Sequence, residues 1–357
     1  MNLQSKILVI AKQAGTASAF VPLIRELANR FTVRVLATEH AGRVFSEAKV
    51  DFKRFMNFED SGVLRGVTQS DLLLTGTSAE AADDSKFWAW AHRHGIPSIG
   101  FVDQWVNLEH RFLSGASSDQ NPMIVAVIDE NDAFAAEKLH LAGSRVHITG
   151  SPALDDIAEQ VTKLRLGLPE VNSRPIAVFA TEPSSVETDT QYRANNGFND
   201  LDALQLTVEN LATIPSLADW ILKIKLHPRD RRERIEKFLK TIEAPVKFEI
   251  IDSGRAEMIA CADVVIGTRS FFLLESAICG VPVISLQPGR KTSCPLTDGK
   301  SAIHVVTDRT DATLAFRSLQ ILSKKSLVLT RRERRSIESF IGLIESEITH
   351  NQTRTRK

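Results

Sequence analysis

The sequence predicts an α/β protein built from two doubly wound domains and a C-terminal amphipathic helix. Three observations carry that expectation. Short β-rich apolar runs alternate with helical runs through the first half. The alternation breaks near residues 150–174 and then starts again. The length, 357 residues, suits two domains that each hold their own core. Strands and helices alternating at this spacing build parallel sheets with crossover helices.

Taken in order, Ile7–Ala11 reads as a buried strand, bounded by the turn around Gly15. Ala19–Arg30 reads as a helix with Phe20, Leu23, Ile24, Leu27 and Ala28 on one face. Strands at Thr32–Ala37 and Asp71–Thr75 follow, then a helix over Ala81–Arg93 that Gly95-Ile96-Pro97 ends. Pro97–Val102 and Met123–Ile128 are further strands, and Glu130–Leu141 is a helix. Gly150-Ser151-Pro152 closes the last strand of the first half. After a polar helical stretch, Asn172-Ser173-Arg174-Pro175 leads into the strand Ile176–Ala180. Helices at Leu201–Leu211, Arg231–Thr241 and Phe271–Cys279 then alternate with strands at Trp220–Leu226, Lys247–Ile251, Asp263–Gly267 and Pro282–Leu286. Thr330–Thr349 is an amphipathic helix through Ile337, Phe340, Ile341, Leu343, Ile344 and Ile348. The expected domains are 1–155 and 175–323, with a linker over 156–174 and a basic helix and tail over 324–357. Tandem domains of this kind place a ligand cleft between them, at the C-terminal ends of both sheets.

Lys and Arg total 44 and Asp and Glu total 44, so the formal charge is zero. That balance argues against nucleic acid as the main partner, which selects for a basic surface. The balance is uneven along the chain. Residues 324–357 hold nine Lys or Arg against four Glu, a net +5, which leaves −5 on residues 1–323. Peripheral contact with anionic lipid is one reading of that tail, and a solvated helix face is the other. No run approaches the roughly 18 apolar residues of a membrane span. The apolar run Ile7–Ala11 is too short for an export signal, so a cytoplasmic location is expected. Three cysteines, Cys261, Cys279 and Cys294, suggest neither a disulfide framework nor a zinc cluster. His92 and His94 are two residues apart and face different sides of a helix, so no metal site is expected.

The strongest motif runs from Ala262 to Ile284: a buried strand, the polar turn Gly267-Thr268-Arg269-Ser270, a helix, a stop at Gly280 and another buried strand. Such a turn delivers backbone N–H groups and the positive end of a helix dipole, which favour an anion, above all a phosphate. Thr268 and Ser270 add hydroxyls and Arg269 a charge-assisted donor. Glu275, five residues after Ser270, is placed to meet a ribose or sugar hydroxyl. The alternative is a plain helix cap with a surface glutamate. The second motif, Lys223-Ile224-Lys225-Leu226-His227-Pro228-Arg229, alternates apolar and basic residues and presents His227 at a strand end. An imidazole there lies on the ligand side of a parallel sheet.

Together, the KxHPR strand end and the later ADVVIG-T-x-S…LLESAxxGVPVI segment resemble the C-terminal domain of GT-B glycosyltransferases. The likeness is to the broad group with UDP-N-acetylglucosamine 2-epimerase, MurG-like transferases, CDP-glycerol polymerases and bacterial sialyl- and Kdo-transferases. It covers roughly residues 220–290. It implies a GT-B fold and a nucleotide-sugar as donor substrate, with no cofactor and no metal. It implies that His227, Thr268 and Ser270 meet the nucleotide phosphate and that Glu275 meets the ribose. The reaction so implied moves a sugar or acidic sugar, CMP- or UDP-linked, to a hydroxyl of a surface glycan or glycoconjugate acceptor. A 2-epimerase or hydrolase on the same fold is the first alternative, and a non-catalytic nucleotide-sugar-binding subunit the second.

The remaining candidates sit at strand ends. The loop Lys12–Ser18 lacks the GxGxxG fingerprint, which argues against a dinucleotide. Its Gly15 and Thr16 are small enough to let a ligand approach the backbone. Thr181 and Glu182, with Ser184 and Ser185, end the first strand of the second domain. An inverting transfer, the expected course here, needs a general base to take the proton from the acceptor hydroxyl. Asp103, followed by Trp105, Asn107 and Arg111, is the first choice and Glu80 the second; a polar cap or an ion pair is the alternative for each.

Overall fold

The computed structural model describes residues 5–59, 64, 71–78, 81–104, 108–112, 116–167, 174–183, 189–227, 230–251, 254–294, 297–298, 302–319 and 335–355. Two compact units divide the chain: Met1–Asp156 with Glu333–Lys357, and Ile157–Arg332.

The first unit contains β1 (Lys6–Ala11), β2 (Thr32–Ala37), β3 (Lys53–Arg54), β4 (Leu72–Gly76), β5 (Ser98–Phe101), β6 (Ile124–Val127) and β7 (Arg145–Ile148). They form one sheet in the order β3-β2-β1-β4-β5-β6-β7, every neighbouring pair parallel. The second unit contains β8 (Ile176–Ala180), β9 (Ile221–Lys225), β10 (Lys247–Ile251), β11 (Val264–Gly267), β12 (Val283–Leu286) and β13 (Ile303–Val306). Their order is β10-β9-β8-β11-β12-β13, again all parallel. Both units are doubly wound, as the sequence predicts. Each sheet reverses its order once, between β1 and β4 and between β8 and β11. In open α/β sheets that switch point, at the carboxyl ends of the strands, is where ligands bind.

Alternation along β1 shows how each sheet is covered. Ile7, Val9 and Ala11 join one core with Phe20, Leu23 and Leu27 of the helix Ala14–Leu27. Leu8 and Ile10 join the opposite core with Phe87 and Trp88 of the helix Ala81–Arg93. In the second unit Ala177, Phe179, Leu222, Ile224, Val264 and Ile266 pack against Leu204, Val208 and Leu211 of the helix Asp200–Thr213. The strands that periodicity did not reveal, β3 and β13, are at sheet edges, as is β7, whose end the Gly150-Ser151-Pro152 turn marks. There a strand needs little apolar sequence: β7 reads Arg-Val-His-Ile and is largely exposed.

The expected boundaries change at two places. The stretch expected as a linker over 156–174 begins inside the helix Pro152–Gly167. The stretch 324–357, set apart above as a basic helix and tail, is not a separate element over its described part. Helix Arg335–Thr355 belongs to the first unit, and Ile337, Phe340, Ile341, Leu343, Ile344 and Ile348 complete the core on the Ile7–Val9 face. Phe340 meets Phe101 edge-on, with ring centroids 5.2 Å apart. Ser336 N–H donates to Asp155 Oδ2 at 3.0 Å, and Gly150, at φ +79°, lies so close that a Cβ there would come within 2.3 Å of Ser336 Oγ. Arg30 pairs with Glu345 at 3.0 Å, and Arg145 with Glu347. The apolar face is therefore covered by the unit's own sheet. Residues 320–334, which hold Lys324, Lys325 and Arg331, lie outside the described residues. Among the described residues no helix is long and apolar enough to cross a membrane.

If the helix is core, removing its central ring must unfold its unit more easily. Phe340→Ala is expected to cost about 3–5 kcal/mol, the usual range for deleting a buried aromatic ring. Urea unfolding followed by tryptophan fluorescence measures it. An unchanged midpoint contradicts the placement.

Candidate functional site

At the second switch point three strand ends meet. β8 runs into Thr181 and Glu182, β9 into Leu226 and His227, and β11 into Thr268, Arg269 and Ser270. Thr181 is buried, and its Oγ1 accepts from the His227 backbone N–H at 2.9 Å. That bond fixes the turn after β9 against the turn after β8.

Glu182 organises the rest. Its Oε2 accepts from the Thr268 hydroxyl and, at 2.7 Å, from the Arg269 backbone N–H. Its own backbone N–H donates to Asp200 Oδ2 at 2.9 Å. Asp200 is buried and pairs with Arg234 at 2.6 Å, while Arg234 also reaches Asp230 at 3.3 Å. The protein thus supplies its own carboxyl acceptor to the donors that the sequence assigns to a phosphate. Burial pushes the Glu182 carboxyl pKa up, against the opposing effect of the Thr268 and Arg269 hydrogen bonds. Tyr192, the protein's single tyrosine, is pushed up too, first by burial and then by the Glu182 charge.

Ser270 stands differently. It is the N-cap residue of the helix Phe271–Ile278, yet its side chain makes no cap bond. Its Oγ is buried and has no hydrogen-bond partner among the described residues. A buried hydroxyl without a partner is uncommon, and at a helix N-terminus it faces the positive end of the dipole.

Arg269, expected to offer a charged donor to a ligand, does not point outward. Its Nε donates to Gln287 Oε1 at 3.1 Å, Nη1 to Asn196 Oδ1 at 3.1 Å and Thr292 Oγ1 at 2.9 Å, and Nη2 to the Thr292 carbonyl at 2.6 Å. The guanidinium lies over the Phe198 ring at 4.9 Å. It ties two loops together because its planar fork matches several acceptors at once. Glu275 is buried rather than on the surface, and pairs with the half-exposed Arg255 at 2.5 Å. Burial raises the Glu275 pKa, against the pull of Arg255 and Lys225. Lys225, whose Nζ lies 5.1 Å from the Phe272 ring centroid, has its pKa lowered by burial first and by Arg255 second. Arg229, Ser184 and Ser185 lie outside the described residues.

In the first unit the corresponding loops also interlock. Lys12, after β1, pairs with Asp83 at 3.0 Å and Asp84 at 3.2 Å. Asp84 also accepts from the Ser78 N–H and hydroxyl, at 2.8 and 2.7 Å. Burial raises the Asp84 pKa, against Lys12 and Ser78. Asp103 is buried with both oxygens engaged. Oδ2 accepts from Thr16 at 3.1 Å and Oδ1 from Arg111 at 2.9 Å. The turn expected around Gly15 is helical: Gly15 and Thr16 lie in the first turn of the helix Ala14–Leu27, which begins five residues before the expected Ala19. A Cβ on Gly15 would come within 2.8 Å of Asp103 Oδ2, so this helix start needs glycine to close on the β5 end. Glu80, Trp105 and Asn107 lie outside the described residues. Among the described residues no group of three His, Cys, Asp or Glu is arranged to hold a metal.

Residue reading gave no site role to Asp200, Lys225 or Arg255. Of these only Lys225 carried a signal, as the basic residue two before His227 at the end of an alternating strand.

Comparison with known proteins bears on the scaffold. The UDP-GlcNAc 2-epimerase of Neisseria meningitidis, solved with UDP-GlcNAc, superposes with a TM-score of 0.65 at 14% identity, covering 96% of this chain and 100% of that one. The kitacinnamycin glycotransferase gives 0.59 at 15% identity, covering 96% and 99%. Anabaena HepE, solved with UDP and glucose, gives 0.55 at 13%, covering 95% and 99%. The fold is that of the GT-B enzymes. At these identities the likeness is one of fold. No protein-family model matches the chain, and no curated protein matches it by sequence. Within the GT-B fold the β8–β11 switch point lies in the C-terminal half of the chain, and here it carries Glu182 and Ser270.

The raised Glu182 pKa has a measurable consequence. A carboxyl raised on folding lends stability that is complete below its unfolded pKa and is lost as pH rises through its folded pKa. The second unit is expected to lose stability over that interval, above the ordinary glutamate range, as the carboxylate forms. Glu182→Gln, which keeps the acceptor for Thr268 and Arg269, should flatten the profile. Thermal unfolding across about pH 4–8 reads it, and a profile unchanged by the substitution contradicts the assignment.

Proposed function

We propose that this chain is a nucleotide-sugar enzyme. Its second unit holds the nucleotide phosphate at the N-terminus of helix Phe271–Ile278. The observation that carries the reading is the Ser270 hydroxyl, buried and without a partner among the described residues, at a topological switch point. A phosphate oxygen there takes a hydrogen bond from Ser270 and meets the helix dipole. His227 and Lys225 flank it from the β9 end, and Thr181 holds the His227 backbone in place. The neighbours solved with UDP or UDP-GlcNAc support a nucleotide-sugar as the ligand.

In the proposed reaction a sugar, or an acidic sugar, leaves a UDP- or CMP-linked donor for a hydroxyl of a glycan or glycoconjugate acceptor. As the bond to the anomeric carbon breaks, negative charge builds on the phosphate. Ser270, His227 and the helix N-terminus stabilise that charge. Glu182 is the carboxyl to be displaced when the phosphate arrives, because it occupies Thr268 and the Arg269 N–H. Asp103, bound on both oxygens and paired with Arg111, anchors the first turn of the helix Ala14–Leu27 through Thr16, and proton abstraction falls to Glu80. No cofactor beyond the donor enters this scheme. A second reading, a 2-epimerase that needs no acceptor, is favoured by the TM-score of 0.65 to the meningococcal epimerase.

Calorimetric titration with UDP-GlcNAc and with CMP-sugars tests the site. Ser270→Ala should weaken binding by about tenfold, the value of one hydrogen bond to a charged partner. Equal affinity in the variant removes the assignment. Incubating UDP-GlcNAc with the protein alone separates the reactions. Release of an epimer without acceptor supports the second reading, and sugar transfer only with acceptor supports the first.

A further inference from the structure

The second sheet ends on an open strand. β10 has β9 on one side and, among the described residues, no strand on the other. Such an edge presents a row of N–H and C=O groups, a template for another chain. Proteins commonly blunt an edge with a proline or a bulge. β10 has neither: its five residues pair in unbroken register with Ile221–Lys225. Lys247, Phe248 and Glu249 are all exposed. Phe248 is 47% exposed, although it alternates with Val246 and Ile250, which pack on the core of the unit.

The pairing fixes which backbone groups face outward. The Ile221 N–H donates to the Pro175 carbonyl at 2.9 Å, and the Lys225 carbonyl accepts from the Thr181 N–H at 3.1 Å. Ile221, Lys223 and Lys225 therefore bond toward β8, and Leu222 and Ile224 toward β10, because successive residues of a strand bond to opposite sides. On β10 itself, Lys247, Glu249 and Ile251 bond inward, while Phe248 and Ile250 turn their N–H and C=O groups away from the sheet. The Ile250 carbonyl agrees with this direction, accepting from Arg232 Nη2 of the helix Arg232–Leu239 at 3.3 Å.

A second copy of the chain fits this edge in one central register. In an antiparallel pair about a two-fold axis, outward-facing residues meet outward-facing residues. An axis at Lys247 sets Lys247 against Lys247, and an axis at Glu249 sets Glu249 against Glu249. Like charges directly opposite are destabilising. An axis at Phe248 sets Lys247 of each copy opposite Glu249 of the other. The two Phe248 residues then exchange N–H···O=C bonds, and their rings lie side by side on the opposite face of the joined sheet. One register thus satisfies the free backbone groups, both charges and the exposed ring.

We propose that this chain forms a two-fold dimer in which β10 pairs with β10 of a second copy, Lys247 against Glu249, so that the two six-stranded sheets become one. The proposal is independent of the nucleotide reading, since it uses no residue of the β8–β11 switch point.

Sedimentation equilibrium of the full chain over a dilution series tests it. The natural chain is expected at twice the mass of one chain, dissociating on dilution. Lys247→Glu and Glu249→Lys each turn both cross-strand pairs into like charges, and each should weaken the dimer about tenfold or more. Mixed in equal amounts, the two single variants should dimerise again, because one brings only acids and the other only bases to the four facing positions. The double variant Lys247→Glu/Glu249→Lys should dimerise as the natural chain does. Both positions are exposed, so these variants keep the fold. A natural chain that stays monomeric across the series overturns the proposal. So does a dimer that neither single variant weakens, or a mixture of the two that dimerises no better than either alone.

Discussion

A parallel sheet must be covered on both faces, and most of this architecture follows from that requirement. Strands buried on both sides leave little room for polar sequence, so β1, β4, β6 and β11 are almost wholly apolar. Crossover helices supply most of the cover. In the first unit they do not supply all of it, and the chain returns after the second unit to finish the job. The helix Arg335–Thr355 lays six apolar side chains on the face formed by Ile7, Val9 and Phe101. The consequence reaches beyond packing. A helix that completes a core cannot also lay its apolar face on a membrane.

The proposed site lies where the sheet order reverses. At both switch points the chain places a carboxylate against the donors of a neighbouring turn: Asp103 with Thr16 and Arg111, Glu182 with Thr268 and the Arg269 N–H. The second arrangement has the property a binding site needs. The carboxylate is desolvated, which raises its pKa, and its hold on the donors is opposed by that cost. Beside it Ser270 stays unpaired among the described residues. Under the proposed reading Glu182 is the carboxyl that a phosphate displaces from Thr268 and the Arg269 N–H. The Arg269 guanidinium fastens the surrounding loops.

The sequence made the repeating strand–helix order legible, because apolar runs such as Leu72–Leu74 and Val264–Ile266 have no other explanation. It also placed the turn Gly267–Ser270 and the strand end at His227 correctly in the fold. What escaped were features that depend on long-range geometry. Glu182 reaches Thr268 across 86 residues, and Arg234 reaches Asp200 across 34. Neither separation leaves a local pattern. The C-terminal helix is the instructive case. Its apolar residues were readable, but the density of Lys and Arg around residues 324–335 drew it toward the surface. Periodicity says that a face is buried; it does not say against what.

The central claim is that the second unit receives a phosphate at Ser270. A crystal structure of the chain with UDP tests it most directly. The account predicts a phosphate oxygen within hydrogen-bond distance of Ser270 Oγ, at the N-terminus of helix Phe271–Ile278. A nucleotide seated on the β1–β4 loops, with Ser270 untouched, would contradict it.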